Sequence, residues 1–298
     1  MIYISVHAKN SPLSISAVPL NITTFKGGEV NVKLTEQVIY AINKDTEVNV
    51  GLVASLTNSD ELMALMLVVD AIRRINSKAI ITALIPYFPY ARQDRVCNPG
   101  EALSVSVVAN MINSLQLDKV IVVDPHSTVT EALIKNLTVI DQSHYMHGVK
   151  AKIAKSVPID KVWLMAPDQG AYKKVLNLAS HKSSSGAFAG FMHAVKERDP
   201  KTMEIKQVQI HGDVKDKHIL VVDDICDGGR TFLQLGALLR EQKAASIRLF
   251  VTHGIFSYGT KELCEMYDEV ITTHSFHDPM SQATNNELSR SNLYWLYV

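Results

Sequence analysis

The sequence predicts an α/β protein of two tandem domains built on mainly parallel sheets. Short β-branched runs alternate with helix-patterned stretches along the chain, the order that produces parallel sheets covered on both faces. Its 298 residues, 47% hydrophobic and 20% charged, suffice for one large or two ordinary cores. Two apolar runs, 119–124 and 218–223, both end in Val-Val-Asp and lie a domain's length apart, which suggests two similar halves.

In chain order, residues 48–53, 79–86, 119–124, 162–167, 218–223, 247–253 and 269–274 read as buried strands, because each is short, apolar and bounded by turn residues. Residues 60–75 read as a helix that Asn58 or Ser59 can cap, with apolar residues around most of its circumference; 101–115 and 231–243 behave similarly. The polar segment 141–147 has the composition of a connection. It divides the chain into expected domains 1–145 and 146–298. Ligands of such sheets bind at the carboxyl ends of the strands.

Thirty basic and thirty acidic residues give a formal net charge of zero, which argues against nucleic acid or an anionic membrane as a partner. The longest apolar stretch, 62–69, is closed by Glu61 and Asp70 and falls far short of the roughly 20 residues that span a bilayer. The first ten residues lack the basic-then-apolar order of a secretory signal, and Cys97, Cys226 and Cys264 show no C-x-x-C spacing. A reducing cytoplasm is expected, without a disulfide framework or a zinc site.

The strongest chemical signal is Val221-Val222-Asp223-Asp224-Ile225-Cys226-Asp227-Gly228-Gly229-Arg230-Thr231-Phe232. A buried strand brings two carboxylates to its end, and a Gly-Gly turn then opens a helix whose first N–H groups are unsatisfied. Glycines let backbone wrap a phosphate, the Thr231 hydroxyl adds a donor, and the helix dipole favours the anion. Asp223 and Asp224 can accept hydrogen bonds from vicinal sugar hydroxyls. The bland alternative is a sharp turn with Asp227 as N-cap. Neither G-x-x-x-x-G-K-[ST] nor G-x-G-x-x-G occurs, so neither a P-loop nor a dinucleotide fingerprint supplies the phosphate site.

This loop resembles the phosphoribosyl-diphosphate signature shared by phosphoribosyltransferases and ribose-phosphate pyrophosphokinases. A second block, Pro86-Tyr87-Phe88-Pro89-Tyr90-Ala91-Arg92-Gln93-Asp94-Arg95 through Glu101, is similar to the ATP-binding segment of the pyrophosphokinases. Further likeness follows in the family's order: 58–74, Asp124-Pro125-His126-Ser127, Pro167-Asp168, Lys196-Glu197-Arg198, His211-Gly212-Asp213-Val214 and Thr252-His253-Gly254. The resemblance implies two phosphoribosyltransferase-like domains, with residues 283–298 returning to the first. It also implies transfer of the β,γ-diphosphate of ATP to the C1 hydroxyl of ribose 5-phosphate, with magnesium as cofactor and a homo-oligomer, dimer or hexamer, as the assembly. Phe25, Glu29, Arg92, Gln93, Arg95 and His126 are the implied ATP ligands, and His126 and Asp168 would place magnesium directly or through water and ATP oxygens. Asp223, Asp224, Asp227, Gly228, Gly229, Arg230 and Thr231 would hold the ribose phosphate. Lys196 and Arg198, in a polar stretch read as a mobile loop over 193–205, would close over ATP and stabilise the transferring phosphoryl group.

Three departures stand out. The family's loop after the third aspartate is close to Thr-Gly-Gly-Thr, whereas this chain has Gly228-Gly229-Arg230-Thr231. One hydroxyl is lost and a cation gained, which opens a second acceptor, a substituted ribose phosphate such as ADP-ribose, of use in NAD metabolism. In Phe25-Lys26-Gly27-Gly28-Glu29, glycine occupies the family's aspartate position. After Asp124-Pro125-His126-Ser127 the chain lacks the usual Gly-Phe-Phe stretch, which puts hexamer formation and control by ADP or phosphate in doubt. A catalytically silent regulatory relative is disfavoured because Lys196, Arg198, His126, Asp168, Asp223 and Asp224 are all kept.

Overall fold

The computed structural model describes residues 1–8, 14–43, 47–180, 186–198, 205–277 and 290–298. The chain forms two compact units, Met1–Asp141 and Gln142–Val298. The first contains β1 (Ile2–Ala8), β2 (Ser14–Pro19), β3 (Ile22–Thr24), β4 (Val30–Val32), α1 (Glu36–Asn43), β5 (Val48–Ala54), α2 (Ser59–Ile75), β6 (Ile80–Ile85), α3 (Ser104–Ser114), β7 (Lys119–Val123), α4 (Thr128–Leu133) and β8 (Leu137–Ile140). Its main sheet has the order β2-β1-β5-β6-β7-β8. Strands β5 to β8 are parallel, and β1 runs antiparallel to both its neighbours. The α2 cap forms as expected: the Asn58 side chain accepts from the Glu61 N–H at 3.0 Å. Leu62, Leu65, Val68, Val69 and Ile72 then face a core shared with Val50, Leu52, Ile81 and Ile85.

The second unit contains α5 (Met146–Ile153), β9 (Val162–Ala166), α6 (Tyr172–Ser180), β10 (Gly190–Arg198), β11 (Ile205–His211), β12 (His218–Cys226), α7 (Arg230–Glu241), β13 (Ser246–Gly254), α8 (Lys261–Met266), β14 (Glu269–Thr273) and β15 (Leu293–Leu296). Its sheet has the order β11-β10-β9-β12-β13-β14-β15 and is parallel except for β11. Val221, Leu249 and Val251 pack with Leu235 and Leu239 of α7 in a core of their own. Among the described residues no helix is long and apolar enough to cross a membrane.

Two expectations are corrected here. The chain end, expected to return to the first domain, instead adds a strand to the second: β15 pairs parallel with β14 from Val270↔Leu293 to Thr273↔Leu296. There it satisfies the backbone groups of an otherwise open edge. Residues 193–198 are strand and not loop, because β10 and β11 form an antiparallel ribbon with Lys196 opposite Val208 and Arg198 opposite Ile205. Positions 199–204 of the same expected loop, and 278–289 before β15, lie outside the described residues.

Candidate active site

In the second unit the carboxyl ends of β9, β12 and β13 share one edge of the sheet. Pairing of β12 with β9 ends at Val221↔Met165, while pairing with β13 continues to Cys226↔Gly254. Asp223 and Asp224 therefore stand just past the end of β9, on backbone still anchored by β13. The Asp224 N–H donates to Asp223 Oδ1 at 2.9 Å. Gln142, only 2% exposed, donates through Nε2 to the Asp223 carbonyl at 2.6 Å and to Thr252 Oγ1 at 2.9 Å. Lys174 on α6 brings Nζ to 3.8 Å from Asp224 Oδ2. Burial, then the charges of Asp224 and Asp168, push the Asp223 carboxyl well above the ordinary carboxylate range.

Asp168 follows β9 directly, and its Oδ1 accepts from the N–H groups of Gly170 at 2.9 Å and Ala171 at 3.2 Å. The charge of Asp168 reaches Asp223, so three carboxylates share this edge of the sheet. A local excess of negative charge of this kind fits a magnesium site that uses one or two protein carboxylates and completes its shell with water and phosphate oxygens. Among the described residues no group of three or more His, Cys, Asp or Glu side chains is gathered as an all-protein metal cage.

The loop after β12 is sewn to the segment after β13. The Cys226 carbonyl accepts from the N–H groups of Ile255 and Phe256 at 2.8 and 3.1 Å, and the Asp227 carbonyl from Ser257 N–H at 3.2 Å. Ser257 Oγ also donates to Asp227 Oδ1. The N-cap position of α7 is Gly229, left-handed at φ 74° and without a side chain of its own to cap the helix. Backbone that turns this closely into a helix start suits an anion. Cys226, fully buried between Asp223 and Asp227, has its thiol pushed up by burial and by those two charges.

The first unit carries the second motif. The segment after β6 buries Tyr87, Phe88 and Ala91 and leaves Arg92, Gln93 and Arg95 exposed. Tyr90, at φ 59°, lies in a turn closed by the Gln93 N–H to the Tyr90 carbonyl at 3.2 Å. Its hydroxyl lies 2.9 Å from Ser59 Oγ at the start of α2. Glu101 gathers the end of the segment by accepting from the N–H groups of Cys97 (2.9 Å) and Asn98 (3.1 Å) and from Asn98 Nδ2 (2.7 Å). Just after the neighbouring strand β7, Asp124 is left-handed at φ 37° and buried, and His126 follows half-buried. Ser127 Oγ and Thr130 Oγ1, beside it at the start of α4, are buried without hydrogen-bond partners. Because β6 and β7 are adjacent and parallel, the Arg92–Arg95 segment and His126 leave the same edge of the sheet. Phe25 and Glu29 bracket the turn of the β3–β4 hairpin, with Phe25 N–H to Glu29 O at 2.8 Å, and the Phe25 ring is 58% exposed.

Sequence comparison agrees with this architecture. The chain matches the N-terminal domain of ribose phosphate pyrophosphokinase over residues 8–115 and the phosphoribosyl transferase domain over 148–281. It is 30% identical over 256 residues to the ribose-phosphate pyrophosphokinase of Hyphomonas neptunium, covering 85% of this chain and 77% of that protein. The chain belongs to the ribose-phosphate pyrophosphokinase family. The Campylobacter jejuni member is also 30% identical, over 88% of this chain and 80% of its own. The crystal structure of phosphoribosylpyrophosphate synthetase from Mycobacterium smegmatis shares the fold at TM-score 0.75 and 22% identity, covering 95% of this chain and 87% of that one.

In the first unit Arg92, Gln93, Arg95 and His126 leave the carboxyl edge of the main sheet, whereas Phe25 and Glu29 stand on the separate β3–β4 hairpin. Asp168, Asp223, Asp224 and the loop Asp227–Thr231 lie together in the second. Lys196 and Arg198 lie on the part of β10 that continues past its last pairing with β9, His193↔Ala166; their side chains lie outside the described residues. At about 3.3 Å per residue, Lys196 is roughly 10 Å beyond that edge along the ribbon. Sequence reasoning missed Lys174 and Gln142. Lys174 sits in a Lys-Lys pair that looks like any solvated helix face, and Gln142 lies in a polar connection; only the fold reveals what each touches.

Proposed function

We propose that this chain transfers the β,γ-diphosphate of ATP to the anomeric hydroxyl of ribose 5-phosphate, releasing AMP. The observation that carries this reading is the edge of the second sheet. There, two strand-anchored aspartates precede a glycine turn that opens α7 at the left-handed Gly229. Asp223 and Asp224 orient the sugar through its vicinal hydroxyls, and the N–H groups of the Asp227–Thr231 loop with the Thr231 hydroxyl hold the 5-phosphate. Arg92, Gln93, Arg95 and His126, with Phe25 and Glu29, are assigned to ATP, the arginines for their planar fork.

The C1 hydroxyl oxygen attacks the β-phosphorus, the bond from that phosphorus to the α,β-bridging oxygen breaks, and AMP leaves with that oxygen while the hydroxyl proton passes to solvent. Lys196 and Arg198 stabilise the charge that builds on the transferring group and its leaving oxygen. Asp168 and His126 are the residues assigned to magnesium, directly or through water, and the ion would supply charge neutralisation on the phosphates when bound. No covalent enzyme intermediate is required. A substituted ribose phosphate is the second reading of the acceptor, favoured by the exposed Arg230 at the first turn of α7.

The test is AMP release from ATP and magnesium, with and without ribose 5-phosphate, on the wild type and Lys196→Ala. Acceptor-dependent AMP release that falls by about 100-fold or more in the variant is expected. Equal turnover in the two proteins would remove Lys196 from catalysis, and absence of turnover in the wild type with any acceptor would favour a regulatory role.

A further inference from the structure

The segment after β13 places a side chain that the reaction with ribose 5-phosphate does not use. Tyr258 is 89% exposed, more than any other large hydrophobic residue described, yet the backbone that carries it is tied on both sides. Ser257 on one side is bonded to Asp227 through backbone and side chain. On the other, Gly259 N–H closes a turn on the Phe256 carbonyl at 2.8 Å, with Phe256 left-handed at φ 51°. The tyrosine ring edge rests on the phosphate loop, and a Cβ at Gly228 would come within 3.0 Å of Tyr258 Cε2. Glycine at 228 thus admits the ring, and Arg230 stands exposed two residues further along the same loop.

A ring exposed to this degree buries almost no area and adds little to folding. A monoester phosphate is already served by the loop N–H groups and Thr231. An exposed arginine and an anchored aromatic face beside them match what lies beyond that phosphate in a larger acceptor, a second phosphate and a stacking base. We infer that Tyr258 and Arg230 form an outer acceptor subsite, selective for a ribose whose 5-phosphate is joined through a second phosphate to a nucleoside, as in ADP-ribose. This rests on the assignment of the Asp227–Thr231 loop to the acceptor phosphate. Because the backbone on either side is already tied, only the two side-chain torsions of the ring need to be fixed on stacking, which keeps the entropic cost of the contact low.

Calorimetric titration with ADP-ribose and with ribose 5-phosphate, the nucleotide site filled by a non-hydrolysable ATP analogue, tests the inference on the wild type, Tyr258→Ala and Tyr258→Phe. AMP-release kinetics with each acceptor run alongside. Loss of the ring is expected to weaken ADP-ribose about tenfold while ribose 5-phosphate stays within about twofold, and Tyr258→Phe retains the wild-type preference. Equal weakening of both acceptors would make Tyr258 a prop for the loop and overturn the inference. So would unaltered ADP-ribose binding in Tyr258→Ala, or no ADP-ribose binding to the wild type. If no acceptor supports AMP release but Tyr258→Ala still weakens ADP-ribose binding, the subsite stands and the transferase reading falls. Turnover of ribose 5-phosphate without any ADP-ribose binding gives the reverse.

Discussion

Replacing Lys174 by alanine removes a cation that faces Asp224, the carboxylate proposed to hold the acceptor sugar. At the observed 3.8 Å, a unit pair at an effective dielectric of 20 is worth roughly 4 kcal/mol. The lysine side chain is 32% exposed against 8% for Asp224, so solvent screening reduces the usable part to about 1–2 kcal/mol. If Asp224 binds the sugar, that loss appears as a KM for ribose 5-phosphate about 5- to 30-fold higher, with the KM for ATP little changed. Initial rates of AMP release at saturating ATP, with the acceptor varied, measure it directly. Lys174→Arg keeps the charge and is expected to recover most of the effect. The exposed neighbour Lys173 serves as control, since Lys173→Ala removes a charge from the same helix without touching Asp224. An unchanged acceptor KM in Lys174→Ala, or an equal rise in Lys173→Ala, would refute the assignment of this pair to acceptor binding.

Two further outcomes follow from the loops. Glu101→Gln is expected to raise the KM for ATP severalfold, because a charged acceptor of three hydrogen bonds becomes a neutral one. Hydrogen bonds from the Asn98 side chain and the N–H groups of Cys97 and Asn98 hold the Glu101 carboxyl below its ordinary range. Its ordering effect is therefore complete above the ordinary glutamate pKa and is lost as pH falls through the lowered value. Circular dichroism of wild type and variant across that acid range reads the difference, and parallel acid transitions would refute it. Gly229→Ala forces a left-handed alanine at φ 74° against Leu263, 3.3 Å from the added carbon. At roughly 1–2 kcal/mol of strain, Tm is expected to drop by about 2–8 °C, and an unchanged Tm would show that the turn relaxes without cost.

The central strands were legible in the sequence because each is an apolar run too short for a helix and bounded by turn residues. Residues 162–167 and 218–223 became β9 and β12 with ends shifted by a few positions. The carboxylates at the end of β12 were legible for the same reason, since strand period and motif point to one place. Strand β10 was not, because residues 196–198 are charged and its partner β11 is reached only through the fold. The placement of β15 depends on an open edge at β14 that no local pattern announces. The Lys174–Asp224 pair, 50 residues apart in sequence (224 − 174), and the Gln142 clamp on Asp223 depend on neighbouring strands and helices in the same way. Tyr258 lies between the runs read as strands at 247–253 and 269–274 and carries no motif, and what distinguishes it is its contact with Gly228.

The burial of Cys226 makes the end of β12 chemically silent. With its thiol enclosed and its ionisation suppressed, it offers maleimides and mild oxidants little to react with. Cys97 lies exposed in the segment of the first unit assigned to ATP, and Cys264 is partly buried, so Cys97 is the most accessible of the three thiols. A fluorescent label placed there on the native chain turns that assignment into a direct reading, since a signal that responds to added ATP is what the assignment requires.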